Sequence, residues 1–291
     1  MNALGRLVLI PIFILGAFSA KAQDKPLFRS AFPMDALKDV SRSDARISAD
    51  FLIKEIVESE GYDADVQTPD SHTEMIEKVR NKEIEAFLLF THRYVALEAE
   101  LGMRPILIPC RQENDPKDRL MLVTKKGVLI DDIVNGTLLV QSGYGELIDI
   151  WTSTLQTETG LPISDRFSET EIKPNVKEAV LPVFFGKADA AVCMDKSLQL
   201  LNELNPHFQK NIDVVATSEP LISSVLCLSQ HFTEKTEGTI ERVGLDLHNS
   251  AKGRQLLTVM GVECFEPFQD SALDSIRSLM SIAKERKGET P

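Results

Sequence analysis

Residues 135–160 read NGTLLVQSGYGELIDIWTSTLQTETG, and this stretch sets the class of fold. Thr137, Leu138, Leu139 and Val140 form a short apolar run with no polar alternation, which suits a strand covered on both faces. Leu147, Ile148, Ile150, Trp151 and Leu155 then recur at helical spacing. Between strand and helix lies Gln141-Ser142-Gly143-Tyr144-Gly145, a glycine-bracketed turn. A helix start leaves backbone N–H groups unpaired and carries the positive end of the helix dipole, so such a turn can receive an anion, with Ser142 Oγ as an added donor. The plainer reading is that Ser142 or Gly143 caps the helix and that Glu146, in its first turn, already uses the dipole.

Upstream, the same alternation repeats. Phe28 to Phe32 reads as a strand, and a helix from about Asp44 to Glu60 carries Ile47, Phe51, Leu52 and Ile56 on one face before Gly61. Tyr62, Ala64 and Val66 alternate as a strand, Ser71-His72-Thr73-Glu74 is a capping-box sequence, and Ile84 to Phe90 is a buried strand. This is βαβαβ, which predicts an α/β fold with a parallel sheet covered by helices. Thr91-His92-Arg93-Tyr94 follows the third strand, and ligands of open α/β sheets collect at the carboxyl ends of strands, so this loop is the expected wall opposite Ser142. As plain structure, Thr91 would be an N-cap and Tyr94 a half-buried helix residue.

Arg104 to Pro109 and Arg119 to Lys125 read as further strands separated by a polar loop. Beyond the opening stretch come a loop from Pro162 to Pro174, a helix from Asn175 to Phe185 with Pro182 as an expected kink, and strands at Ala188 to Cys193 and Ile212 to Thr217. An apolar strand, Leu221 to Leu228, leads into helices near Thr233–His248, Ala251–Met260 and Ser271–Lys284. The second half thus repeats the pattern of the first, and the late helices are expected to pack back on the first lobe. Crossings near Pro109–Thr124 and Thr217–Ser223 would make a two-strand hinge, with the ligand cleft between the lobes. The expected organisation is a signal peptide at 1–22, lobe 1 at 23–117 and 221–291, and lobe 2 at 118–220.

The address comes from the first residues. Arg6, an apolar run from Leu7 to Phe18 and the small residues Ala20 and Ala22 form a secretory signal with cleavage expected after Ala22. The run is short for a bilayer span, and no later segment is apolar enough for one, so no membrane insertion of the mature chain is expected. No cysteine follows the cleavage site, which points to the periplasm rather than to a lipid anchor. Residues 1–22 hold two basic residues and no acidic one, so the exported remainder is still more acidic than the whole chain's −12. Such a surface disfavours nucleic acid as a partner. It leaves an anionic ligand open, because local amides and one or two cations decide a pocket while remote charge is screened beyond about 8 Å. Cys110, Cys193, Cys227 and Cys264 show no metal-ligand spacing, and no metal or cofactor is expected. Export permits disulfides, four cysteines allow three full pairings, and spacing selects none of them.

A family resemblance rests on AVLPVFFGKADAAVCMD at Ala179–Asp195, on Glu203-Leu204-Asn205-Pro206, on the strand at Asp213–Thr217 before Ser218-Glu219-Pro220, and on AKGRQLLTVMGVECFEPF at residues 251–268. These, with FLLFTHRYVALEAE at residues 87–100, resemble phosphonate/phosphite-type periplasmic solute-binding proteins over nearly the whole exported chain. The resemblance implies a two-lobed type 2 periplasmic-binding fold with a two-crossing hinge and C-terminal helices on lobe 1. It implies a monomer that closes on a small, anionic, phosphonate-like ligand and delivers it to an ABC permease or reports it to a membrane sensor protein. By that match Tyr94 is the aromatic of lobe 1, with Thr91 and His92 beside it. Ser142, with the amides of Gly143 and Tyr144, is the oxyanion loop, and Asp195 is a polar position after the lobe 2 strand. The positions of a His-acid pair in phosphonate binders fall on Val176 and Lys177, and a lysine facing the cleft would favour an anion. As plain structure, Lys177 is a solvated helix residue.

The competing class is an enzyme. The five histidines are scattered and no nucleophile elbow or HExxH occurs, so the expectation is that the chain is not one. The conceivable acid/base pair is His92 with Asp195.

Overall fold

The computed structural model describes residues 25–32, 42–110, 115–142, 145–232 and 234–288. The expected signal peptide, and the Gly143 and Tyr144 part of the oxyanion loop, lie outside the described residues.

The chain begins with β1 (Leu27–Ala31), α1 (Arg42–Ser59), β2 (Asp63–Gln67), α2 (His72–Arg80), β3 (Ala86–Phe90), α3 (Thr91–Leu101) and β4 (Arg104–Cys110). β1 pairs in parallel with both β2 and β3, as right-handed βαβ units require. Ser71 caps α2 by accepting from the Glu74 N–H at 3.2 Å, while the Glu74 carboxylate reaches the N–H of Asp70 rather than of Ser71. Gly102 ends α3 in the left-handed region, at φ 56°, where a side chain is disfavoured.

The second unit contains β6 (Leu120–Lys125), β7 (Gly136–Gln141), α4 (Gly145–Thr154), β8 (Phe167–Lys173), α5 (Val176–Phe184), β9 (Ala190–Met194), α6 (Asp195–Leu204), α7 (His207–Asn211) and β10 (Ile212–Thr217). Its sheet runs β10-β6-β9-β7-β8. β7 lies between two strands and beneath helices, so Leu138, Leu139 and Val140 are all buried, which is what their unbroken apolar run implies. β12 (Ser224–Leu228) and β13 (Cys264–Pro267) return to the first sheet, whose order is β13-β4-β12-β3-β1-β2. Between the two sheets, β5 (Lys117–Asp118) and β11 (Leu221–Ile222) pair antiparallel as the crossing ribbon. α8 (Glu234–Asp246) and α9 (Ala251–Met260) pack on the first sheet and on α1.

Several expectations are corrected. The Pro162–Pro174 loop contains β8, an exposed edge strand of sequence FSETEIK whose polar residues hide its period. The single strand at Leu221–Leu228 is two, because Ser223 lies between β11 and β12 and gives its carbonyl to Thr91. Ile47 and Phe51 are exposed; α1 packs instead through Ala49, Leu52 and Val57, supported by Ile53 and Ile56. The last helix, α10 (Asp274–Lys287), does not confine itself to lobe 1. It packs on α3 of lobe 1 and on α4 of lobe 2, and Ile276 shares one continuous core with Tyr94, Leu147, Ile148 and Trp151. Among the described residues, no helix is long and apolar enough to cross a membrane.

Candidate functional site

The candidate site is the corner where the carboxyl end of β3 in lobe 1 meets the start of α4, after β7, in lobe 2. β3 ends at Phe90, and α3 starts at once, without a side-chain cap, so Thr91, His92 and Arg93 occupy its first turn. Thr91 is anchored rather than presented: its Oγ1 donates to the Ile222 carbonyl at 2.5 Å and its N–H to Ser223 at 3.1 Å. These bonds pin the start of α3 to the crossing strand. His92 is 3 % exposed, and its ring joins a stack in which Phe90 lies between His72 and His92, with centroids 4.6 and 5.8 Å apart. This packing fixes the imidazole in one orientation.

Across the gap, α4 brings Glu146 to this corner. His92 Nε2 lies 3.2 Å and the Arg93 guanidinium 2.8 Å from Glu146 Oε2. A carboxylate only accepts, so Nε2 carries the donated proton. That leaves His92 Nδ1 buried and without a hydrogen-bond partner. The hydrogen bond from His92, with the charges of His92 and Arg93 behind it, holds the Glu146 carboxyl down at about 2 against a partial desolvation cost. Two lobe 1 donors therefore converge on one lobe 2 oxygen, an arrangement suited to an oxyanion.

A second cluster sits at the crossing. Asp195 opens α6, and its Oδ1 accepts from the N–H of Lys196 at 2.7 Å and of Arg119 at 3.1 Å. Asp118 Oδ1 accepts from the Arg119 N–H at 2.9 Å. Asp118 is 5 % exposed, and burial together with the adjacent Asp195 carboxyl raises its pKa to about 7 in spite of those N–H donors. Two carboxyl groups in contact under low dielectric do not both ionise readily, so the pair shares one proton near neutrality. The Arg119 guanidinium is turned to the Ser218 carbonyl at 3.1 Å and Lys196 Nζ to the Asp115 carbonyl at 2.7 Å, so these contacts go to main-chain oxygens rather than to the two acids.

The expected site residues divide accordingly. His92 stands at the junction of the lobes, and Asp195 belongs to the acid pair. The conceivable His92–Asp195 dyad is not formed, because each side chain is engaged by other groups. Ser142, half-buried, receives its place from β8: its N–H donates to Lys173 at 2.7 Å and its hydroxyl to Pro174 at 2.8 Å. Its proton is thus committed to the protein. Lys177 is exposed in the first turn of α5, a few residues beyond that contact. Tyr94 is not brought to this group: its ring is in the core and its hydroxyl faces Glu98, on the side where Arg277 of α10 approaches. Arg93, Glu146 and Asp118 were not singled out from sequence. Arg93 lay inside the quoted loop and Glu146 read as a dipole partner, while nothing local marked Asp118. Among the described residues, no group of three or more metal-ligating side chains converges.

Two α/β lobes joined by paired crossings, with charged side chains from both meeting at strand ends, define a solute-binding protein of the kind that closes around a small molecule. The family model described as ABC transporter, phosphonate, periplasmic substrate-binding protein matches residues 39–273, and the chain belongs to that family. Its members are substrate-binding proteins of ABC transporters, not enzymes. A binding protein component of a Pseudomonas aeruginosa ABC phosphonate transporter superposes with TM-score 0.66 at 13 % identity, over 91 % of this chain and 88 % of that one. A Xanthomonas citri protein solved with ATP gives 0.66 at 12 % identity, over 91 % and 99 %. PhnD1 of Prochlorococcus marinus, in complex with methylphosphonate, gives 0.62 at 12 % identity, over 91 % and 99 %. At such identities these likenesses establish the fold. No curated protein matches the chain in sequence.

Proposed function

We propose that this protein is exported through a cleavable signal at 1–22 and closes, as a monomer in the periplasm, on a small oxyanion of phosphonate-like chemistry that it hands to an ABC permease. The observation that carries this reading is the convergence of His92 and Arg93 on a single carboxylate oxygen between the lobes. Glu146 supplies that oxygen from within, and an incoming phosphonate, phosphate or sulfonate oxygen would take the same donors. On closure Ser142, the Gly143 and Tyr144 amides, Lys177 and Asp195 would complete the ligand's contacts.

The test is a thermal-shift screen with phosphate, phosphite, alkylphosphonates, alkylsulfonates and small carboxylates. A ligand at 100 times its Kd adds about 2.7 kcal/mol, which for a chain of this size raises Tm by roughly 5–10 °C. Stabilisation by cations or neutral sugars, with none by oxyanions, would overturn the reading. Glu146→Gln separates the internal carboxylate from the ligand. Removing one exposed like charge, worth about 1 kcal/mol, should tighten oxyanion binding about 5-fold. Weaker binding in that variant would instead make Glu146 a direct ligand contact.

A further inference from the structure

β4 and β13 run antiparallel, and their register sets Cys110 directly opposite Cys264. Opposed residues in antiparallel strands have Cα atoms about 4.5 or 5.5 Å apart, inside the span of about 4.4–6.8 Å that a disulfide bridges. They also project to the same face of the sheet. The side chains accordingly lie together: the Cys110 thiol donates to the Ile108 carbonyl at 3.8 Å, and Cys264 and Glu266, two residues further along the same strand, are the neighbours that, after burial, push the pKa of that thiol up. Cys110 is fully buried and Cys264 partly exposed, so one sulfur can be reached from solvent and the other can be reached through it. Cys193 in β9 and Cys227 in β12 are buried and have no cysteine opposite them.

We propose that Cys110 and Cys264 form a disulfide in the oxidising compartment where this family works, by exchange with a disulfide-bearing oxidant. Cys264, having lost its proton to solvent, attacks one sulfur of the oxidant's disulfide and expels the other sulfur as a thiolate. Cys110 passes its proton to the Glu266 carboxylate and attacks Cys264 Sγ, which releases the oxidant's second thiolate. The two released sulfurs take up the two protons, so two protein thiols are oxidised and the oxidant leaves as a dithiol. The bond ties the last residue of β4, where the chain leaves lobe 1 for the first crossing, to the strand that leads into α10. It is independent of ligand identity, and its failure would leave the oxyanion reading untouched.

The experiment uses the full chain exported to an oxidising compartment, purified without reductant, denatured and alkylated before mass measurement. Two alkylated cysteines are expected, rising to four after reduction, with a single reducible cross-linked peptide pair containing Cys110 and Cys264. In Cys264→Ser all three remaining cysteines should alkylate without reduction. Four alkylated cysteines in the unreduced wild-type chain, or a cross-link that includes Cys193 or Cys227, would overturn the proposal. The wild-type mass alone decides the matter if the variant does not fold.

Discussion

Arg93→Ala is expected to weaken binding of the stabilising oxyanion by about 30- to 100-fold, while leaving the melting temperature of the ligand-free protein within about 2 °C of wild type. Arg93 is partly exposed at the start of α3 and forms an ion pair with Glu146 across the lobes. An exposed pair of this kind contributes about 0.2–1 kcal/mol to folding, so its loss is small for stability. For the ligand the balance differs. Closure removes water from the donor, and truncating one partner of a desolvated, hydrogen-bonded charge pair costs about 2 kcal/mol or more. Titration calorimetry with the oxyanion found in the screen, on wild type, Arg93→Ala and Lys177→Ala, is the measurement. Lys177 is solvent-exposed, and its removal should cost less than 10-fold. Equal affinity in Arg93→Ala and wild type would show that the ligand is held elsewhere in the cleft.

Asp118→Asn should raise stability at neutral pH and flatten its dependence on pH. The folded protein holds the Asp118 proton to about pH 7, whereas the unfolded chain releases it near 3.8. Between those values the folded state binds more protons than the unfolded one, so unfolding free energy falls as pH rises across the window and levels off above it. Each unit of displacement is worth about 1.4 kcal/mol, and because the proton is shared with Asp195 the total is on the order of 2–4 kcal/mol. An asparagine amide would give Asp195 a permanent donor and keep a carbonyl oxygen for the Arg119 N–H. Glu146 works in the opposite sense: its folded pKa is depressed to about 2, so its contribution is present above about 4.5 and is lost as pH falls below that value. Urea midpoints between pH 4.5 and 7.5 exclude Glu146, and the difference between wild type and Asp118→Asn cancels the histidines common to both and isolates the hinge pair. The wild-type midpoint should decline over this range relative to the variant, which should lie above it at neutral pH. A variant with the same slope as wild type would mean that the two carboxyls do not share a proton.

Most of the framework was legible in the sequence, because it rests on local signals. Ser71 and Asn175 each cap a helix and are followed three residues later by a glutamate, the unbroken run of β7 needs cover on both faces, and the βαβαβ alternation fixes three parallel strands. What escaped rests on partners distant in the chain. β8 is polar because it is an edge, and β13 is short and paired only with β4. Ile47 and Phe51 fit the helical period of α1, yet which flank of a broad apolar helix is covered depends on what packs against it. The site followed the same division. Topology alone placed His92 at a strand end, whereas its contact with Glu146 spans 54 positions, and the Asp118–Asp195 pair joins two segments that read separately as a loop and a strand end. Tyr94 shows the same dependence on distant packing: an aromatic in the quoted loop turns, one helical step on, towards Glu98 and the core.

The placement of α10 bears on how the lobes can move. With Ile276 and Leu279 set against Trp151 and the surroundings of Tyr94, the C-terminal helix is a third tie between bodies already joined by two strands. A third tie restrains rotation about the two crossing strands, so opening involves small sliding steps of side chains along that helix. Excursions of this kind are short and stop where the next set of side chains interlocks. Packing of that kind favours a few discrete apertures over a continuous swing.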